Sequence, residues 1–89
     1  MWTVEFDERA RRELRKLDAP IQRQILSYLR SRVAGVENPQ RFGKPLRYAM
    51  AGLWRYRVGD CRLICRIERD RLVVLVLAVG NRRDVYESD

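Results

Sequence analysis

Arginines at alternate positions in two neighbouring segments are the residues of this sequence best suited to bind an anion. Arg55 and Arg57 alternate with apolar residues before Gly59-Asp60, and Arg62 follows that pair. A Gly-Asp pair between alternating segments predicts a hairpin with a two-residue turn, which places Arg57 directly opposite Arg62. Because like charges opposed across a sheet destabilise it, the pair indicates an anion site. A solvated, arginine-rich surface is the alternative interpretation.

The composition agrees with an anionic partner and excludes several classes of enzyme. The 89 residues include 17 arginines, two lysines and 12 acidic residues, which gives a net charge of +7. Guanidinium groups bind phosphate in a bidentate manner and stay charged when partly buried. The sequence contains no histidine, which removes His-dependent triads and most zinc sites. We therefore predict neither a metal ion nor a cofactor.

The C-terminal segment brings further functional groups toward the same place. If Arg69-Asp70 forms the turn of a second hairpin, Ala78 lies opposite Cys61. Arg82 then leaves the sheet beside the arginine pair, and Tyr86 is close enough in sequence to fold back over it. Neighbouring cations favour the phenolate form of a tyrosine, which suits such a residue to act as a base.

Cleavage of RNA is a reaction that such a cluster suits. The sequence offers no carboxylate pair, no plausible Ser or Cys triad and no glycine-rich phosphate loop. In RNA the 2′-hydroxyl can itself attack the phosphorus. The protein then needs only a base, an acid and cations that stabilise the developing charge. The residues alone also allow phosphate binding without cleavage, or binding of an acidic protein.

Hydrophobic periodicity predicts the elements that position these residues. Alternation over residues 2–6 indicates a strand, and helical spacing follows over residues 7–17 and 20–33. A loop at residues 35–45 precedes strand-like segments at 53–58, 61–67 and 72–79. We predict an α+β fold of order β-α-α-β-β-β in one domain of residues 1–89. A helical hairpin packs on one face of a small, mostly antiparallel four-stranded sheet.

The sheet face opposite the arginines is expected to form the core. Alternation assigns to it Tyr56, Val58, Cys61, Leu63, Cys65 and Ile67. The segment 72–79 is apolar throughout and is therefore predicted to be a central strand. Cys61 and Cys65 lie four residues apart on one strand, roughly 13 Å between Cα atoms. A disulfide needs less than about 7 Å, so both thiols should be reduced and buried.

The N-terminus does not have the pattern of a signal peptide. The longest apolar run has eight residues, far fewer than a membrane span needs. We therefore expect a soluble, cytoplasmic protein without a membrane partner.

Residues 52–60, followed by Arg62-Leu63-Ile64, resemble the RelE/ParE superfamily of bacterial toxin–antitoxin toxins, and the RelE branch in particular. Residues 6–10, 44–47 and 79–83 extend the resemblance over essentially the whole chain, and Tyr86 supports it. Members of this branch share the β-α-α-β-β-β order, in agreement with the fold predicted above.

The resemblance implies a metal-independent, ribosome-dependent mRNA endonuclease that cuts codons in the ribosomal A site and so inhibits translation. By similarity, Arg55 and Arg57 occupy the two basic positions before the turn, and Arg62 stabilises the transition state. Arg82 matches the proposed general acid, and Tyr86 matches the residue that acts as base or stacks on an mRNA base. The other basic residues expected to bind RNA are Arg66, Arg83, Lys44 and Arg47. The implied partners are the ribosome, mRNA and an acidic RelB-like antitoxin in a hetero-oligomeric complex.

The chain departs from the RelE pattern in ways that bear on mechanism. The family often has lysine at the positions of Arg55 and Arg57, and arginine is harder to deprotonate. Asn81 stands where a basic residue is common, and the spacing from Arg82 to Tyr86 is shorter than in the best-known members. The alternatives are a ParE-like inhibitor of DNA gyrase and a catalytically degenerate toxin that only binds its antitoxin.

Overall fold

A computed structural model describes residues 1–81, which form a mixed β-sheet covered on one face by helices. The strands are β1 (Thr3–Phe6), β2 (Lys44–Pro45), β3 (Trp54–Val58), β4 (Cys61–Glu68) and β5 (Val73–Asn81). The helices are α1 (Glu8–Arg15) and α2 (Ala19–Tyr28), and a π-helical segment, Leu29–Ala34, continues α2. Short 3-10 turns occupy Pro39–Phe42 and Tyr48–Met50. The predicted α+β class is confirmed.

The sheet has five strands in the order β1-β5-β4-β3-β2, rather than the four predicted. Strand β1 runs parallel to β5, and the other pairs are antiparallel. The additional strand, β2, has only two residues and forms one edge of the sheet. Two residues show no alternation, and a proline without an N–H is compatible with a strand only at such an edge. The predicted interior position of β5 is confirmed.

The predicted register of the first hairpin is confirmed. Arg57 pairs with Arg62, and Val58 pairs with Cys61 beside the turn. Gly59 has a φ of +59°, the left-handed conformation that the turn requires and that glycine adopts without a steric penalty.

The predicted register of the second hairpin is wrong by three residues. Asn81, rather than Ala78, lies opposite Cys61. One reason is a longer turn, in which Leu72 adopts a φ of +55° and its N–H donates to the Arg69 carbonyl at 3.3 Å. A register shift between Ile64 and Cys65 also adds a residue to the pairing. The end of β5 consequently lies level with the first turn.

The core lies between the helices and the sheet face predicted from alternation. Tyr56, Leu63 and Cys65 are fully buried on that face. The helices contribute buried residues at helical spacing: Ala10, Leu14, Ile25, Leu29 and Val33. The step of four from Ile25 to Val33 exceeds the α-helical repeat of 3.6 residues. The wider π-helical turn keeps Leu29 and Val33 on the buried side.

Capping fixes where α1 begins. The Asp7 carboxylate accepts a hydrogen bond from the Ala10 N–H at 2.9 Å, which confirms the predicted N-cap. The Asp7 N–H donates to the Val76 carbonyl at 3.0 Å and so ties the start of the helix to β5. Among residues 1–81, no helix combines the length and the apolar character that crossing a membrane requires.

Both cysteines are free and buried on β4, as predicted, and burial raises the pKa of each thiol. An unfolded thiol ionises near pH 8.5. Above this pH the unfolded chain loses protons that the folded chain keeps, so the free energy of unfolding falls as pH rises.

We therefore predict that stability declines between pH 7.5 and 9.5, with the Cys65 thiol contributing up to about 1.4 kcal/mol per pH unit above 8.5. Urea unfolding of the wild type and of Cys65→Ala measures the effect. The variant should be less stable at both pH values, with a shallower decline. Equal declines in the two proteins would show that ionisation of the Cys65 thiol does not contribute.

Candidate functional site

Three arginines lie on the sheet face that the helices leave uncovered, and we call them the arginine hairpin: Arg55, Arg57 and Arg62. Arg57 and Arg62 are directly opposed across β3 and β4, with Cβ atoms roughly 5 Å apart in such a pair. Arg55 lies two residues from Arg57 on the same face. Two arginines opposed in this way make the surface strongly positive, which suits a phosphate.

Arg62 is the most constrained member of the arginine hairpin. Its side chain is half-buried, and its Nε is shielded from solvent without a hydrogen-bond partner among residues 1–81. An unpaired buried donor on a charged group carries a desolvation cost of about 1–3 kcal/mol or more. An anionic oxygen placed beside this group would satisfy the donor and offset the repulsion from Arg57.

The edge strand β2 adds a further cation to the same region. Lys44 pairs with Arg55 across β2 and β3, and its side chain is exposed.

Tyr56 holds the β2 edge of the sheet in place, because its buried hydroxyl donates a short hydrogen bond to the carbonyl of Pro39. A Cβ at Gly43 would lie 3.1 Å from the Tyr56 ring, so the close approach of the two segments depends on glycine. Arg47 is exposed on the loop that follows β2.

Arg66, which was predicted to bind RNA, lies on the same strand face, two residues beyond Ile64, the partner of Arg55. It lies four residues beyond Arg62 on β4, roughly 13 Å away at the rise of a strand. Its Nε contacts the Glu68 carboxylate at 3.1 Å, and Arg71 contacts the same group at 2.5 Å. Hydrogen bonds from Arg66 and Arg71 lower the pKa of Glu68, which stays ionised and compensates these charges.

The end of β5 lies beside the arginine hairpin. Gly80 pairs with Arg62, and Asn81 pairs with Cys61. Gly80 itself contributes no side chain beside Arg62. The predicted site residues Arg82, Arg83 and Tyr86 lie outside the described residues. Among residues 1–81, no group of three or more Cys, Asp or Glu residues is placed to hold a metal ion.

Comparison with known proteins identifies the family. The ParE toxin family of type II toxin–antitoxin systems matches residues 4–86. The chain belongs to this family.

Relatives of this ParE-family toxin carry RelE-type names. The chain is 36% identical to Toxin RelG of Mycobacterium tuberculosis over 85 residues, which cover 96% of this chain and 95% of that protein. The toxin–antitoxin complex RelBE2 from the same organism matches with a TM-score of 0.83 and 36% identity over 93% of each chain. A mutant of E. coli toxin RelE bound to an antitoxin RelBc peptide matches with a TM-score of 0.74 and 27% identity, over 98% of this chain and 85% of that one. These matches confirm the resemblance to the RelE-like toxin superfamily.

Glu13 is a residue of this ParE-family toxin that sequence reasoning missed. Its Oε1 accepts a hydrogen bond from the Val79 N–H at 2.8 Å, and its Oε2 contacts Arg9 at 3.0 Å. The pairing of β1 with β5 ends at Phe6 and Val76, so Val79 has no strand partner on that side. Glu13 therefore fixes the end of β5 three residues before Arg82. One glutamate among many charged residues in α1 gives no sequence signal of this contact.

Replacing Glu13 tests this contact. We expect Glu13→Ala to cost about 1–2 kcal/mol of stability, because the Val79 N–H loses its acceptor. Amide hydrogen exchange should become faster at Val79. Glu13→Gln retains an acceptor oxygen and should keep the protection, as should Arg9→Ala, which removes only the exposed ion pair. Unchanged exchange at Val79 in Glu13→Ala would show that the bond does not hold the strand.

Proposed function

We propose that this ParE-family toxin is a ribosome-dependent mRNA endonuclease that cleaves mRNA in the ribosomal A site and so inhibits translation. The observation that carries the proposal is the opposed pair Arg57 and Arg62, with the buried, unpartnered Nε of Arg62. The 36% identity to Toxin RelG over nearly the whole chain supports assignment to the RelE branch.

The proposed reaction needs no nucleophile from the protein. The 2′-hydroxyl of the substrate loses its proton and attacks the adjacent phosphorus, while the bond to the 5′-oxygen breaks. The products are a 2′,3′-cyclic phosphate and a 5′-hydroxyl that receives a proton. Arg62 stabilises the negative charge that grows on the phosphoryl oxygens. Arg55 and Arg57 hold the phosphate in place.

Residues beyond β5 complete the proposed site. Arg82 donates the proton to the leaving 5′-oxygen, and Tyr86 acts as the base or stacks on an mRNA base. Lys44 and Arg47 bind neighbouring phosphates, and Arg83 adds a further contact. Arg66 shares the Glu68 carboxylate with Arg71, so we expect it to contribute less to RNA binding than the arginine hairpin does.

The proposed partners follow from charge and from the relatives. RelBE2 is a toxin–antitoxin complex, and the E. coli RelE mutant binds an antitoxin peptide. We propose that an acidic RelB-like antitoxin binds this chain in a hetero-oligomer and so inhibits its toxicity. The net charge of +7 on the chain favours an acidic partner. The free toxin, a single domain of residues 1–89, acts in the cytoplasm, where it meets ribosomes and mRNA.

Inhibition of DNA gyrase is the second candidate function. The description of the matching family, the ParE toxin of parDE systems, favours it. The arginine hairpin favours RNA cleavage, because an inhibitor that works by binding has no need of the opposed pair. A degenerate toxin that only binds its antitoxin is the third possibility, and the same experiment distinguishes all three.

Induction of the chain in bacteria without its antitoxin tests the proposal. Mapping of mRNA 5′ ends should then reveal new ends inside translated codons, and these should disappear when translation initiation is blocked. Intact mRNA together with DNA damage would refute the nuclease in favour of gyrase inhibition. Intact mRNA and intact DNA would indicate a degenerate toxin.

Substitution of Arg62 tests the role of the opposed pair. We expect Arg62→Ala to lower the rate of cleavage on programmed ribosomes by about 100-fold or more, because a preorganised donor to the developing charge is lost. Its thermal stability should equal or exceed that of the wild type, since the repulsion from Arg57 is relieved. Arg11→Ala removes one exposed charge from α1, on the opposite face, and serves as the control. Undiminished cleavage by Arg62→Ala would exclude this residue from the site.

A further inference from the structure

Tyr48 combines a strained backbone with a solvent-exposed aromatic ring. Its φ of +57° lies in the left-handed region, where Cβ makes the conformation unfavourable. Leu72 is the other non-glycine residue among residues 1–81 with a positive φ. The Tyr48 side chain is 78% exposed, so packing of the ring does not compensate the strain. Strained residues of this kind are concentrated at binding and catalytic sites.

The loop around Tyr48 is held firmly by hydrogen bonds. The Leu46 N–H donates to the Leu53 carbonyl at 3.0 Å and closes the loop at its base, where Leu46 itself is buried. Inside the loop, the Ala51 N–H donates to the Tyr48 carbonyl at 3.0 Å, and the Met50 N–H donates to the Arg47 carbonyl at 3.1 Å. An aromatic ring is therefore presented to solvent on a rigid support, which lowers the entropy cost of binding a ligand.

The surroundings of Tyr48 are strongly basic. Residues 38–59 contain five cationic side chains and no acidic one. Arg47 precedes Tyr48 directly, and Lys44 lies at the base of the same loop; both are exposed. The loop joins β2 to β3, so its base at Leu53 lies about 13 Å along β3 from Arg57. A single strand of RNA that lies along β3 spans the distance from this loop to the arginine hairpin within a few nucleotides.

We propose that Tyr48 is a nucleobase-stacking residue. Its ring stacks on an unpaired RNA base, while Arg47 and Lys44 bind the flanking phosphates. Exposed aromatic rings beside cations bind single-stranded RNA in this manner. This inference deepens the proposed function, and it assigns a substrate-contacting role to a residue at the opposite end of β3 from the opposed arginine pair.

Four variants isolate the contribution of the ring. Tyr48→Gly removes the ring and the backbone strain together, whereas Tyr48→Phe and Tyr48→Trp retain a ring. Leu72→Gly relieves the same type of strain on the β4–β5 turn and is the matched control. Thermal unfolding should show that both glycine variants fold with a stability equal to or above that of the wild type, because the strain is removed.

Binding to RNA is measured directly, without relying on cleavage. The probe is a single-stranded RNA oligonucleotide that contains 2-aminopurine and carries 2′-deoxy substitutions to prevent cutting. Stacking on a ring should quench the fluorescence with the wild type, Tyr48→Phe, Tyr48→Trp and Leu72→Gly. Tyr48→Gly should bind about 5-fold to 150-fold more weakly, which corresponds to the loss of one base–aromatic stacking contact. Equal quenching by Tyr48→Gly and by the wild type would overturn the proposal.

Cleavage on programmed ribosomes separates this inference from the proposed function. If the wild type does not cleave, the nuclease is refuted, while the fluorescence still decides whether Tyr48 stacks on RNA. Weaker binding of Tyr48→Gly to ribosomes without mRNA would identify the base as ribosomal. A changed codon preference with unchanged binding to such ribosomes would identify it as a base of the mRNA. Normal RNA binding with impaired neutralisation by the antitoxin would overturn the proposal and assign the ring to a protein interface.

Discussion

The repulsion between Arg57 and Arg62 persists because the register of the hairpin that holds them cannot slip. A shift by one residue would turn Tyr56 and Leu63, both fully buried, toward solvent. Burying each such side chain is worth about 1.5–3 kcal/mol. Two charges near a protein surface repel by a few kcal/mol at most at this separation. The apolar face therefore fixes the register, and the charged face must tolerate the opposed pair.

The rest of the fold supports this hairpin from both sides. On one side, the buried Tyr56 hydroxyl and the close approach of Gly43 attach the β2 edge, and with it Lys44. On the other side, Asp7 begins α1 and ties it to β5, and Glu13 holds the end of β5 where no strand pairs with it. The helices thus do more than cover the core. They set the position from which the chain continues past Asn81 toward the remaining predicted site residues.

The parts of the structure that sequence predicted correctly have signals that are local and regular. Alternation around Gly59-Asp60 determined the first hairpin, its buried face and the arginine face. The register predicted for the second hairpin was wrong because the true register depends on the left-handed conformation of Leu72 and on the irregularity at Ile64 and Cys65. Neither feature has a sequence signature, since leucine is not a turn residue and the strand pattern is apolar throughout. The strand β2 and the Glu13 contact are likewise products of tertiary packing.

Charge alone does not locate the site, and strand β4 shows why. Arg62 and Arg66 lie on the same strand, and alternation places them on the same face, although only Arg62 was predicted to be catalytic. Arg66 belongs to a network in which Glu68 also pairs with Arg71, and Arg71 contacts Glu5 on β1 at 3.5 Å. This network joins the β4–β5 turn to β1 and neutralises that end of the strand. Arg62 faces a second arginine and keeps a buried donor unpaired among residues 1–81. Within residues 1–81 the two arginines thus differ in the group they face, a carboxylate for Arg66 and a guanidinium for Arg62, and this difference follows from the register rather than from the composition.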